Sequence, residues 1–341
     1  MGYSSGRMAN VGSLSTFEFL TTGVYYVKIL KSQMGERRRE KTRLTTELAI
    51  IILNWNAADD TIRCVREIAA WERLRPAIWV VDNGSAGDDV EMIAHACPEA
   101  HIVRNPSNLG FSGGSNQGIQ AARQAGDAPI LLLNNDAWIN EVSVARMLHT
   151  LQEDDTVGLV GPLLFDDDDA HTFISAGAKN PVLHHQTRVV TLPQAEIQEV
   201  EAISGTAILI RSAVFEAAGL LDEDYFFSTE LADLCQRARQ SAGYRCVIDA
   251  RARAYHRVSR SAGFRSALYP YYIVRNRFLY VRKFYPALPR LLLTGFWASY
   301  SLVLSAKLRL TGERAACRAV WLGLVDGLQG RFGGQNERVL N

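Results

Sequence analysis

The chain has 341 residues, of which 48% are hydrophobic, and a formal net charge of +1 at pH 7. This length and composition allow a substantial buried core, and the near-neutral charge gives no case for a nucleic acid partner. The five cysteines show neither the spacing of metal ligands nor that of a disulfide framework, which fits a reducing cytosol.

The N-terminal part carries no clear signal. Residues 1–46 are predicted to be an extension that is either poorly ordered or a mis-assigned start, with Met34 as a sensible alternative start. The stretch Phe17 to Leu30 is interrupted by charges, and it lacks the order of basic, apolar and cleavage regions that a signal peptide needs.

Short apolar runs that stop at polar residues follow from position 48 onward. A run that ends in this way is typical of a buried strand that presents polar side chains at its carboxyl edge. Alternation of these strands with helix-like stretches predicts a doubly wound, mainly parallel sheet, whose carboxyl edge binds ligands. The segments are Leu48–Asn56, a helix over Asp59–Trp71, Ile78–Ser85, a glycine-rich loop over Asn105–Gln117 that opens a helix, and Ile130–Asp136.

Two of these signals have plainer explanations. Asp82-Asn83-Gly84 is also what a simple turn with glycine at positive φ requires. The loop glycines, Gly110-x-x-Gly113-Gly114, do not have the G-x-G-x-x-G spacing of a dinucleotide-binding fold, which argues against that fold.

Four ordered motifs together resemble glycosyltransferase family 2, with the GT-A fold, and within it the bacterial rhamnosyltransferase-like members. The motifs are Asn54-Trp55-Asn56, Val81 to Ser85, Asn105 to Asn116 and Asn134-Asn135-Asp136. The resemblance runs from Leu48 to Tyr285. It implies a catalytic domain over 47–285, divided into a nucleotide-binding half (47–140) and an acceptor half (141–285), followed by a C-terminal helical extension over 286–341.

The resemblance also implies the donor site. In the family, the residue at the position of Asp82 contacts the base, and the carboxylate at Asp136 binds Mn²⁺ or Mg²⁺ that bridges the two phosphates. His256 matches a family histidine that contacts this metal or the diphosphate, although a lone histidine is more often structural. The residues predicted to bind the nucleotide-sugar are Asn54, Asn56, Asp82, Asn83, Asn108, Gly110, Gly113, Asn116, Asn135, Asp136 and Arg275. Packing at the domain edge is an equal alternative for Arg275.

The chain departs from the family where the catalytic base is expected. The aromatic stretch Tyr225-Phe226-Phe227 is followed by Glu230, but Leu231 stands where the family usually has the basic aspartate. Leucine cannot accept a proton, so Glu230 is predicted as the base, in the first turn of a helix behind good N-cap residues. Asp233 is the second candidate, and an ion pair with Arg237 one turn later is an equal alternative for it.

The resemblance therefore implies an inverting glycosyltransferase that transfers a sugar, with rhamnose from dTDP-rhamnose as the leading donor, to a polysaccharide or lipid-linked acceptor in cell-surface glycan synthesis. UDP- and GDP-sugars are not distinguished from it. The alternative is a catalytically degenerate subunit that binds sugar nucleotides, because of Leu231.

The C-terminal part indicates the membrane. The uncharged stretch between Arg290 and Lys307 has 16 residues, short of the roughly 20 that span a bilayer. Its basic flanks and aromatic residues predict a helix in the cytoplasmic leaflet, and a helix buried against the catalytic domain is an equal alternative. We therefore expect a cytoplasmic protein at the inner face of the plasma membrane, and a homodimer is kept as an expectation.

Overall fold

The computed structural model describes residues 48–169, 172–257 and 262–340, and for residues 262–267 it describes the backbone alone. The predicted extension over 1–46 and the alternative start at Met34 lie outside the described residues. The division of the remaining chain at 140/141 and 285/286 stays a prediction.

Four parallel strands form the first half of the sheet, in the order β3-β2-β1-β4. Its elements are β1 (Ala49–Asn54), α1 (Ala58–Ala69), β2 (Ala77–Asp82), α2 (Asp89–Ala96), β3 (His101–Arg104), α3 (Gly110–Ala125) and β4 (Ile130–Asn134). The strand ends are level, since Asn54 pairs with Asp82 and Leu53 pairs with Asn134. The predicted polar clusters therefore share one edge of the sheet.

The second half makes the sheet mixed. Its elements are β5 (Ala137–Ile139), α4 (Glu141–Glu153), β6 (Val157–Asp166), β7 (Phe173–Ser175), β8 (Ile197–Glu199), β9 (Ala207–Ile210), α5 (Ser212–Ala218), a 3₁₀ turn (Glu223–Tyr225), α6 (Glu230–Ala242) and β10 (Arg245–His256). Strand β9 is antiparallel to both β4 and β6, between which it lies, and β10 is parallel to β6. The predicted α/β class with a mainly parallel sheet is confirmed.

Helices cover both faces of the sheet, which explains why β1 is apolar at nearly every position. Ile50 and Ile52 belong to one buried cluster, and Ala49 and Ile51 belong to the cluster on the opposite face. Helix α3 lies very close to the sheet, because a Cβ on Gly118 would stand 2.7 Å from Cγ2 of Ile51. The glycine-rich helix start is thereby held at the carboxyl edge.

Helix α7 (Ala262–Phe284) follows β10 within the predicted catalytic domain. The predicted helical character of the C-terminal part is confirmed, with α8 (Ala287–Leu310), α9 (Arg314–Gln329) and α10 (Asn336–Leu340). Glycines let α9 lie against α7, since a Cβ on Gly323 would stand 2.7 Å from the carbonyl oxygen of Tyr271. By length and composition, α8 is the one described helix that could cross a membrane, with a mean hydropathy of 1.3.

Candidate active site

A cleft of about 640 Å³ opens at the carboxyl edge of β1 and β4. Its lining includes the polar residues Asn56, Asp60, Asn83, Asn108, Asn135 and Asp136. It also includes the aromatic residues Trp55, Phe111, Phe226, Phe227, Tyr269 and Tyr272. The cleft thus joins the polar strand ends to the loop before α6 and to helix α7.

Asn54 organises the floor beneath the cleft. Its Nδ2 lies 3.0 Å from Oδ1 of Asp82, 3.1 Å from Oγ of Ser85 and 3.0 Å from Oδ2 of Asp89, and its Oδ1 accepts from the hydroxyl of Thr61. Asn54 is fully buried and Asp82 is 1% exposed, so neither is a lining residue in this structure. Asn54 is thus placed as a support for the turn that follows β2.

Asn56 lies at the rim of the cleft in a left-handed conformation, with φ of 52°. Its Oδ1 accepts a hydrogen bond of 2.7 Å from the backbone N–H of Ala86, and its own N–H donates to Ser85. Asparagine tolerates positive φ better than most residues, which suits it to this turn. Asn56 is therefore a lining residue whose side chain holds the turn after β2.

Asn83 shapes the glycine-rich loop. Its Nδ2 donates to Oδ1 of Asn108 and to the carbonyl of Gly110, and its Oδ1 accepts from Asn105 and from the N–H of Leu109. The loop then turns at Gly110, where φ is +75° and a Cβ would stand 2.4 Å from the carbonyl oxygen of Phe226. Only glycine fits there, because the conformation and the close approach both exclude a side chain.

Asp136 and His256 meet because β5 and β10 are antiparallel, with Ala137 opposite His256. Nε2 of His256 lies 3.2 Å from Oδ1 of Asp136. Asn135 is next to the pair, and its Nδ2 donates to Thr61. The two predicted metal ligands are therefore brought together, with Asp136 in the lining of the cleft and His256 in contact with it.

Asn116 and Gly113 are placed differently from the prediction. Both polar atoms of the Asn116 side chain bind the backbone of Leu221, and Nδ2 also donates to Glu223, so Asn116 fastens the 3₁₀ turn to α3. A Cβ on Gly113 would stand 2.8 Å from Cβ of Leu109. Neither lines the cleft, because the inner side of α3 faces the protein rather than a ligand.

Arg275 is also not brought to the cleft. It is fully buried, and its guanidinium donates to the backbone carbonyls of Asp224, Tyr225 and Gly333. Burial lowers the pKa of this guanidinium. Of the two alternatives for Arg275, these contacts favour packing, because its guanidinium supports the loop before α6.

Glu230 is the first residue of α6 and is 7% exposed. Burial raises the pKa of its carboxyl to about 7, and the neighbouring Asp233 carboxylate adds to the effect. Its Oε2 has no hydrogen-bond partner among the described residues. Its Oε1 and Cζ of Phe111, a lining residue, both lie about 4 Å from where a Cβ on Gly205 would stand. The carboxyl is therefore buried in the neighbourhood of the lining residue Phe111 and is not itself part of the lining, and its raised pKa allows it to gain or lose a proton near neutral pH.

Two other predictions at this helix can be compared with the structure. Thr229 occupies the N-cap position, but its side chain makes no capping bond, because its backbone is left-handed, with φ of 77°. Asp233 is fully buried and pairs with Arg237 at 2.5 Å and with Lys283. Of the two alternatives for Asp233, the ion pair is confirmed. Leu231 is 3% exposed and faces the core as predicted.

Several lining residues were not predicted from the sequence, and three of them, Asp60, Tyr272 and Asn336, are polar. Asp60 follows the polar end of β1 on the first turn of α1, a position that a helical projection could have shown. Tyr272 was noted in a motif but not assigned to the cleft, and Asn336 comes from α10, 64 residues later. The hydroxyl of Tyr272 donates to Oδ1 of Asn336 at 2.7 Å.

Comparison with known proteins agrees with this geometry. The profile described as Glycosyl transferase family 2 matches residues 49–217. A low-salt glycan biosynthesis hexosyltransferase of Haloferax volcanii, Agl10, is 26% identical over 68% of this chain and 75% of its own length. An N-acetylglucosaminyl-diphospho-decaprenol L-rhamnosyltransferase of Mycobacterium tuberculosis is 22% identical over 64% of this chain and 79% of its own.

Among solved structures, a mannosyltransferase of Pyrobaculum calidifontis in complex with GDP-Man and Mn²⁺ matches with a TM-score of 0.51 and 15% identity. The match covers 90% of this chain and 94% of that one, and it shows the GT-A fold alone. With the family profile, the named relatives and this fold in agreement, the chain belongs to glycosyltransferase family 2 and to its rhamnosyltransferase-like subgroup.

Proposed function

We propose that the chain is an inverting glycosyltransferase that moves a sugar from a nucleoside-diphosphate sugar to a glycan or lipid-linked acceptor in cell-surface glycan synthesis. The observation that carries this proposal is one cleft that is lined by Asp136, which contacts His256, and by Phe226 and Phe227, which lead to the buried carboxyl of Glu230 with a pKa of about 7. Asp136 and His256 suit a diphosphate leaving group with its cation, and Glu230 suits removal of a proton from an acceptor hydroxyl.

The donor half needs a cation. Among the lining residues that the structure describes, none is lysine or arginine, whereas Asp60 and Asp136 are carboxylates. A diphosphate bound there without a counter-ion would meet negative charge. We propose that Asp136 and His256 hold Mn²⁺ or Mg²⁺, which neutralises the charge of the leaving nucleoside diphosphate when bound.

The residues fit such an ion only with help from the substrate. Nowhere in residues 48–169, 172–257 and 262–340 does a group of three or more His, Cys, Asp or Glu side chains form a metal site by itself. Two protein ligands and the diphosphate oxygens together would supply the ligands that Mg²⁺ or Mn²⁺ prefers. This donor set predicts weak metal binding without the nucleotide.

In the proposed reaction the acceptor hydroxyl attacks the anomeric carbon from the face opposite the diphosphate. The bond from that carbon to the diphosphate oxygen breaks, and the nucleoside diphosphate leaves with the electron pair. The hydroxyl proton passes to Glu230. A base with a pKa near 7 is well suited to this step, because about half of it is ionised at neutral pH and it still binds a proton effectively.

A catalytically inactive subunit that binds sugar nucleotides is the second candidate. Leu231 favours it, since this side chain lies in the core where the family usually has its base, and Glu230 is 7% exposed. Release of nucleoside diphosphate distinguishes the two candidates. A binding subunit would bind the donor but release no nucleoside diphosphate.

The purified full chain would be incubated with UDP-, dTDP- and GDP-sugars and with Mn²⁺ or Mg²⁺, and released nucleoside diphosphate would be measured. dTDP-rhamnose is the leading donor, supported by the rhamnosyltransferase named among the relatives. Release from one donor that is lost in Glu230→Gln supports the enzyme and its base. Donor binding without release, also in the presence of a lipid-linked acceptor, supports the inactive subunit. Absence of binding to any donor would overturn both.

The acceptor side is proposed to work at the inner face of the plasma membrane, through one face of α8. Large apolar side chains recur along this face at helical spacing: Leu288 (67% exposed), Leu292 (64%), Phe296 (59%), Val303 (70%) and Leu310 (89%). The opposite face, with Trp297, packs against the protein. A helix with one face packed and the other apolar is suited to lie in a bilayer surface rather than to cross it.

Charge supports an anionic bilayer as the occupant of this face. Helix α8 contains no aspartate or glutamate, and Lys307 and Arg309 are exposed near its C-terminal end, on either side of the apolar stripe. Basic side chains in these positions can reach lipid phosphates while the apolar face enters the leaflet. Each such residue near the surface contributes about 1 kcal/mol to binding.

Co-sedimentation with vesicles tests this surface. The wild type is expected to sediment with vesicles that contain phosphatidylglycerol and much less with phosphatidylcholine alone. The double variant Phe296→Ser/Val303→Ser should lose this binding, whereas Val142→Ser, an exposed valine on α4, should keep it. Equal sedimentation of all three proteins would refute the surface. A dimer that the double variant dissociates would assign the face to a second copy instead.

A further inference from the structure

The loop that leads into α6 is strained. Phe226, Ser228 and Thr229 all have positive φ, at 59°, 69° and 77°. For residues with a Cβ this left-handed conformation is unfavourable, and three in four positions persist only when surrounding contacts hold them. The loop ends at Glu230, so the position of its carboxyl depends on whatever holds these three residues.

One side chain contacts most of this loop. Asn276, on α7, is fully buried, and its Nδ2 lies 3.2 Å from the carbonyl oxygen of Tyr225, 2.9 Å from that of Phe227 and 2.7 Å from that of Ser228. An amide nitrogen has two hydrogens, so three carbonyls compete for it and are drawn together around one point.

The orientation of Asn276 is itself fixed. Its Oδ1 accepts from Nε of Arg275 at 2.9 Å and from Nη2 at 2.7 Å. Since an amide whose oxygen faces a guanidinium must point its nitrogen the other way, Arg275 directs the Nδ2 group toward the loop. Arg275 also binds the carbonyls of Asp224 and Tyr225, which extends the same support to the preceding turn.

The other side of the loop contacts the donor-binding helix start. The carbonyl of Phe226 accepts from the N–H of Phe111 at 2.7 Å and of Ser112 at 3.4 Å. The loop therefore lies between the glycine-rich start of α3 and the amide of Asn276. A shift of the loop would move Glu230 relative to the cleft wall at Phe111.

We propose that Asn276 is a positioning residue for transfer, whose side-chain amide holds the left-handed loop and thereby keeps the Glu230 carboxyl against the cleft. This inference rests on the proposed function. It assigns Asn276 no contact with the substrate, and it predicts that loss of the amide affects the chemical step more than donor binding.

The variant Asn276→Asp isolates the amide. It keeps the oxygen that faces Arg275 and removes the nitrogen that donates to the loop. Its matched control is Asn180→Asp. The side chain of Asn180 also makes hydrogen bonds with both of its polar atoms: Nδ2 donates to the hydroxyl of Tyr285, and Oδ1 accepts from the backbone N–H of Val182. Asn180 lies away from the loop that leads into α6.

The readouts are kcat at saturating donor and the donor KM. For Asn276→Asp we expect kcat to fall by about 100-fold, which is typical of a misplaced catalytic group, while donor KM changes by less than about threefold. The control should change neither. A donor KM that rises as much as kcat falls, an unchanged kcat, or an equal fall of kcat in the control would overturn the proposal.

A second variant covers the case in which Asn276→Asp does not fold. Glycine adopts positive φ without cost, so Ser228→Gly in the Asn276→Asp background should restore soluble protein and recover part of kcat. Failure of this rescue would show that the strained loop is not what Asn276 supports. Inactive wild type, or Glu230→Gln as active as wild type, would refute the proposed function instead, so the two failures are distinguishable.

Discussion

Glu230→Gln should stabilise the protein while it removes activity. In the folded state the pKa of the Glu230 carboxyl is about 7, compared with an ordinary value of 4.5, because the group is buried. The folded protein therefore binds this proton more tightly than the unfolded chain does. Stability must then fall as pH rises from about 4.5 through 7, where the unfolded chain ionises first, and the full penalty is present above pH 7.

The size of the effect follows from the two pKa values. They differ by about 2.5, and each pH unit corresponds to about 1.4 kcal/mol, so ionised Glu230 destabilises the fold by up to about 3 kcal/mol at pH 8. At pH 5 the same difference in pKa destabilises the fold by only about 1 kcal/mol. Glutamine keeps the volume but removes the charge, so Glu230→Gln should gain most of this difference at pH 8 and much less at pH 5.

Thermal unfolding at both pH values measures the gain, which should raise Tm by several degrees at pH 8. The same protein should lose about 100-fold to 10,000-fold in kcat, the range typical of a missing general base. Glu99→Gln is the control, since Glu99 is an exposed glutamate away from the cleft, and it should show neither effect. A Glu230→Gln variant that is less stable than wild type by the same amount at pH 5 and pH 8 would refute the reasoning. It would mean that the glutamine amide loses contacts that do not depend on charge.

Three further variants test separate contacts. Gly110→Ala should destabilise the protein by about 2–4 kcal/mol in denaturant unfolding, because φ is +75° and the new Cβ would meet the carbonyl of Phe226. The control Gly126→Ala, which has open space around it, should leave the stability unchanged. Equal effects of the two substitutions would refute the close approach at Gly110. Asp233→Asn should cost about 3–5 kcal/mol, since it removes the anion of a buried ion pair, and a loss below 1 kcal/mol would contradict that arrangement. Asp136→Asn should raise the Mn²⁺ concentration needed for half-maximal donor hydrolysis by at least about tenfold, and an unchanged metal requirement would exclude Asp136 as a ligand.

The first half of the fold could be predicted because its signals are local. Strands β1, β2 and β4 are each an apolar run that ends at polar residues. The direction of β9 could not be predicted, since a buried antiparallel strand has the same apolar pattern as a buried parallel one. Strand β3, His101–Arg104, was missed because it is short and has no fully buried position.

The candidate site was predictable to the same extent. Polar residues that directly follow β1 and β4, such as Asn56 and Asp136, do line the cleft. The roles of residues on helices could be predicted less well from the sequence, because a helical side chain can face either the cleft or the protein interior. Asn116 and Arg275 both bind backbone carbonyls more than 45 residues away in the chain, and no pattern near either residue encodes those partners.

The departure at Leu231 has a structural explanation that favours a working enzyme. Leu231 lies in the apolar cluster beneath α6, with Cδ1 3.1 Å from where a Cβ on Gly205 would stand, so a carboxylate at this position would be buried among apolar groups. The left-handed residues before the helix place Glu230 at its first position, three residues after Phe227, which lines the cleft. Glutamate is one methylene longer than aspartate, so it can extend further from the backbone. Because a buried, ionisable carboxyl with an unpartnered oxygen lowers stability, its presence here is better explained by proton transfer than by packing.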